Sequence, residues 1–67
     1  MHLAKQNKNL HLQRKALQIA SLQNQICEGK EIKLNEDKIQ MIMSSLSLED
    51  VFLVIDYIER KQLVKHI

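Results

Sequence analysis

The chain has no proline and no tryptophan, and only one glycine, one cysteine, one tyrosine and one phenylalanine. Each shortage excludes a class of protein. A single glycine, Gly29, cannot build a phosphate-cradling loop. A single cysteine, Cys27, cannot close an internal disulfide. The histidines at His2, His11 and His66 have no second ligand at a zinc-site spacing. One phenylalanine and one tyrosine leave no stacking platform for single-stranded nucleic acid. No stretch approaches the roughly 18 apolar residues of a membrane span. The segment Met1 to Leu10, MHLAKQNKNL, has no apolar leader core. With the lone cysteine, that sets the expectation of a reducing, cytoplasmic location.

Acids are missing too, but only locally. The first 27 residues carry Lys5, Lys8, Arg14 and Lys15 and no carboxylate; all eight acids fall between Glu28 and Glu59, against three lysines, and Arg60, Lys61 and Lys65 follow. The balance along the chain is +4, then 3 − 8 = −5, then +3, which sums to the overall +2. Such a polarised chain can pair its own segments, or a neighbour's, by charge. At 67 residues it forms one domain that buries only about 60% of its unfolded surface. Yet it is 45% hydrophobic, with ten leucines and eight isoleucines. Association with a partner or a second copy would use that surplus.

Periodicity predicts three helices near 10–28, 36–45 and 48–64. In the first, Leu12, Ala16, Ile19, Gln23 and Ile26 share a face. Asn9 stands as its N-cap, residues 1–8 as a flexible polar arm ahead of a single helical domain over 9–67, and Gly29 as the residue that ends the helix at positive φ. Residues 30–34, KEIKL, read as a linker with Ile32 and Leu34 turned inward. Asn35, followed by Glu36 and Asp37, reads as the second cap. Ile39, Ile42, Met43 and Leu46 continue that helix until Ser44 and Ser45 weaken it. Ser47, with Asp50 at the third helical position, opens the last helix with an approximate capping box. The run VFLVI is β-prone, but the caps and the cations near the C-terminal end favour helix.

The expected architecture is therefore all-α: a small three-helix domain in which the first and third helices form a long antiparallel hairpin bridged by a short middle helix, assembled as a dimer. The expected core is Leu12, Ala16, Ile19, Leu22, Ile26, Ile32, Leu34, Ile39, Ile42, Met43, Leu46, Val51, Ile55 and Ile58. The main face of the third helix holds Leu48, Val51, Ile55, Ile58 and Gln62, with Phe52 and Val54 at its flanks.

Two stripes are left over. Leu53, Tyr57 and Val64 lie roughly opposite the third helix's main face, and Leu10 and Leu17 form a second stripe on the first helix. A helix with two apolar sides is set up for burial on both. These five residues are the expected protein interface.

No pattern of catalytic residues stands out. Cys27 sits near an apolar face and reads as packing. Asp56 and Glu59 share a helix side, but beside Arg60 and Lys61 they read as solvated charge. No cofactor is expected. A helix-turn-helix over 36–64 would open its groove-entering helix with Leu48, Glu49 and Asp50, and two acids there repel phosphate. A membrane-surface role is poorly served by a basic helix lacking tryptophan and phenylalanine.

The leading expectation is a small non-enzymatic regulatory or adaptor protein acting through protein association, with itself or with another protein. The alternative is a DNA-binding or DNA-associated transcriptional regulator whose Lys5, Lys8, Arg14 and Lys15 contact phosphates. The same residues would suit an acidic protein partner.

Overall fold

The computed structural model describes the backbone of residues 2–65 and the side chains from Lys8 to Lys65. It holds three helices, α1 (His2–Cys27), α2 (Ile32–Ser44) and α3 (Leu48–Lys61), and no strand among the described residues. The VFLVI run is helical, as its flanking signals require.

Helix α1 begins at His2, well ahead of the expected Asn9 cap, so the backbone of residues 2–8 continues the helix instead of forming a loose arm. Nothing in that stretch stops a helix: Ala4, Lys5, Gln6 and Lys8 are good formers, and no glycine or proline occurs before Gly29. At 26 residues α1 is about 39 Å long. It sets the long axis of a molecule measuring 43 × 22 × 16 Å.

Gly29 ends α1 as expected. It takes φ 80°, its N–H donates to the Ile26 carbonyl, and the Lys30 N–H donates to Gln25. This is the paired closure of a Schellman motif, for which glycine is best suited. Helix α3 closes the same way without a glycine. Gln62 adopts φ 51° and donates to Glu59, while Leu63 donates to Ile58. Leu63 also packs against the core, which holds that left-handed turn in place. Helix α3 therefore stops at Lys61, short of the expected Val64.

Asn35 is not a cap. Helix α2 starts a turn earlier, after Glu31, a left-handed residue at φ 43° with no side-chain cap bond. Asn35 sits fully buried, and its amide donates to the Lys30 carbonyl at 2.9 Å and to Gln25 Oε1 at 3.2 Å. The side chain ties the turn at residues 28–31 to the end of α1. Ile32 and Leu34, expected inside, are about half exposed because they already belong to a helix whose inner face carries Asn35 and Ile39. At the other end, the Ser44 and Ser45 hydroxyls each donate at 2.7 Å to the α2 carbonyls of Gln40 and Ile42. Ser47 caps α3, accepting from the Asp50 N–H at 3.2 Å.

The path is up, down, up. Helix α3 therefore runs parallel to α1, not antiparallel. Lys8 Nζ stands 3.4 Å from Asp50 Oδ1 near the start of α3. Beyond its end, Asn24 Nδ2 donates to the Leu63 carbonyl at 3.0 Å and Asn24 Oδ1 accepts from the Lys65 N–H at 2.8 Å. Two short connections between three helices reverse direction twice, which makes the outer pair parallel.

Among the described residues the buried apolar side chains are Leu12, Ala16, Ile19, Ala20, Val54 and Ile58. Lys8, Leu12, Ala16, Ala20 and Asn24 recur every fourth residue along α1, and Asp50, Val54 and Ile58 do so along α3. Rows of this kind interlock with helices inclined by roughly 50°. Ala16 and Ala20 carry only a methyl group, which lets α3 come close. The centre of α3 thus falls on Val54, expected at the flank, while Val51 and Ile55 are only half-buried and Leu48 is 73% exposed. Leu22 and Ile26 are likewise half-buried. Ile39, Ile42, Met43 and Leu46 pack from α2 and the turn after it.

Two substitutions test this arrangement. Asn35→Ala should lower the free energy of unfolding by about 1–3 kcal/mol, since it strips the Lys30 carbonyl of its donor. Gln62→Gly should raise it by about 0.5–1 kcal/mol by relieving the left-handed conformation. Urea melts followed by circular dichroism measure both.

Candidate interaction surface

The five expected interface residues divide. Leu10 and Leu17 are each 51% exposed, two turns apart on one side of α1, and Leu53 is 47% exposed on α3. Tyr57 and Val64 are half-buried and pack against the core. Val64 also lies past the end of α3, so the stripe it was to extend is broken.

The basic residues divide as well. Lys8 is engaged by Asp50, whose Oδ1 is buried without an aligned hydrogen bond and has the Lys8 ammonium as its neighbouring countercharge. Arg14 is exposed and Lys15 is half-buried. The Lys5 side chain lies outside the described residues. The backbone brings these positions onto one helix, but they do not form a uniformly free patch.

A larger surface was not foreseen. Helices α2 and α3 each pack on α1 and scarcely meet one another. Between them runs a groove of about 1490 Å³. Its floor is Ile19, Gln23 and Ile26 of α1. One wall presents Ile39, Gln40 and Met43 of α2, and the facing wall presents Ile55, Ile58 and Gln62. The charged rim consists of Lys33, Glu36 and Asp37 on one side and Glu59 and Lys65 on the other. Lys33 and Lys65 mark the end where α1 finishes, and the acids lie further in. Cys27 lines that same end as a free, exposed thiol, not the packed side chain expected.

A second, shallower depression of about 620 Å³ lies on the other side of the α1–α2 seam. Leu17, Leu22, Met41 and Ile42 line it with Gln18, Ser21 and Lys38. Met41, 74% exposed, is its most open apolar side chain.

Among the described residues, no three His, Cys, Asp or Glu side chains converge as metal ligands would. No helix among them is long and apolar enough to cross a membrane. Comparison with family models, curated proteins and solved structures finds no match.

The division of the interface stripe has a direct readout. Leu53→Asp should cost less than about 1 kcal/mol of stability, whereas Tyr57→Asp, which places a carboxylate against the core, should cost about 2 kcal/mol or more. Equal costs in denaturant melts would contradict this placement of the two side chains.

Proposed function

We propose that this chain is a small non-enzymatic regulatory or adaptor protein that works by associating with protein. The observation that carries this reading is the imbalance of its apolar surface. Among the described residues six apolar side chains are buried, while eight large ones, Leu10, Leu17, Ile32, Leu34, Met41, Leu48, Phe52 and Leu53, are between 47% and 74% exposed. Scattered single exposures are ordinary. Here two of them, Leu17 and Met41, line an apolar depression, and a separate open groove adds the half-buried Ile26, Ile39, Met43 and Ile55, which is the usual form of a surface waiting for a partner.

The DNA-binding alternative has less support. Lys8 already has a countercharge, Lys15 is half-buried, and α3 opens with Glu49 and Asp50 where a reading helix would meet phosphate. Neutralising Lys8, Arg14 and Lys15 together should leave partner capture intact, and no duplex shift is expected in low-salt mobility assays.

Sedimentation equilibrium at micromolar concentration, joined to co-purification and mass spectrometry, tests the proposal. The expected result is either a dimer or a stoichiometric partner, bound without loss of helicity. A monomer that retains no stoichiometric partner would overturn it.

A further inference from the structure

The groove differs from a small-molecule pocket in size and form. Enclosed ligand sites occupy roughly 300–1,000 Å³. This groove, at about 1490 Å³, is larger, and it runs between two helices along most of the 13-residue α2, a span of about 20 Å. Its apolar floor and walls offer a seat for an extended element with an apolar stripe, such as three to four turns of helix.

Its charges restrict that element further. Glu36 and Asp37 on one wall and Glu59 on the other are exposed and form no ion pair among the described residues. Acids on both walls favour an occupant that carries cations on both flanks and disfavour phosphate. Lys33 and Lys65 at the outer end favour the negative, C-terminal end of a helix dipole.

The chain's own basic segment fits this description poorly. Lys8 is tied to Asp50 and Leu12 is buried, so a second copy would have to offer its Leu10 and Leu17 side. Back-to-front docking of that kind joins two different surfaces and continues into open chains unless the rotation closes.

We propose that the groove between α2 and α3 receives an amphipathic helix of a different protein, with lysine or arginine flanking its apolar stripe and its C-terminal end over Lys33 and Lys65. This rests on the association reading above and specifies the partner's chemistry. The bound helix lies antiparallel to α2 and completes a four-helix arrangement over α1.

Two synthetic helical peptides of about fourteen residues, matched to α2 in length, test the proposal. They share one leucine stripe and differ only in carrying lysine or glutamate on its flanks. Fluorescence anisotropy should show the lysine peptide binding at least tenfold more tightly. Replacing Glu36→Gln, Asp37→Asn and Glu59→Gln together should weaken it about tenfold and flatten its salt dependence. Reversing the three to lysine should invert the peptide preference, and Leu17→Gln with Met41→Gln should change neither. Amide shifts on binding should fall on the two groove walls. Equal binding of the two peptides, indifference to the triple neutral variant, shifts centred on Leu17 and Met41, or a dimer that occupies the groove would each overturn the proposal. A co-purified partner that survives the triple variant but is lost with Leu17→Gln would remove the groove assignment and leave the association reading standing.

Discussion

The structure depends on the close approach of α3 to α1 across Ala16 and Ala20. These are buried positions with almost no side chain, flanked along the same row by Leu12 and facing Val54 and Ile58. Dispersion and burial reward that contact only at short range, so a methyl where a leucine would otherwise stand decides how near the helices lie. Once α3 is seated along this row, α2 packs on another side of α1 and the two shorter helices scarcely meet. The groove follows from that separation, with α1 joining the two.

Two buried or half-buried asparagines hold the end of the molecule where α1 finishes. Asn24 receives and donates hydrogen bonds to the backbone after α3, holding Leu63 and Lys65 against α1. Asn35 holds the turn before α2, although its own Oδ1 is buried without a partner. Left-handed backbone at Glu31 and Gln62 adds strain. In a domain with six buried apolar side chains among the described residues, such costs are substantial. Occupation of an exposed apolar face by a partner would offset them through linkage.

Much of the fold was legible in local signals. The three helices, the Gly29 closure and the Ser47 cap follow from residue chemistry within a single turn. Asn35 misled because a cap and a buried clamp use the same amide, and only the neighbouring turn distinguishes them. The inward face of α3 was assigned one step round the helix because periodicity locates an apolar stripe but not the partner row it meets. The exposure of Leu10, Leu17 and Leu53 was readable from their spacing. The groove was not, since it is made by residues from three helices and by the direction of α3. The signal available was the pair of short connections, which imply a parallel first and third helix and so an open side between α2 and α3.

The direction of α3 carries the groove with it, and the native Cys27 allows it to be measured without altering the sequence. A nitroxide attached to this exposed thiol sits at the outer end of the groove. Paramagnetic broadening in amide spectra should be strongest at Lys33–Asp37 and at Gln62–Lys65, with Leu10–Arg14 and Leu48–Asp50 left sharp at the far end of the 43 Å molecule. Broadening of Leu48–Asp50 with a sharp Gln62–Lys65 would mean that α3 runs the other way, and would contradict both the fold and the groove.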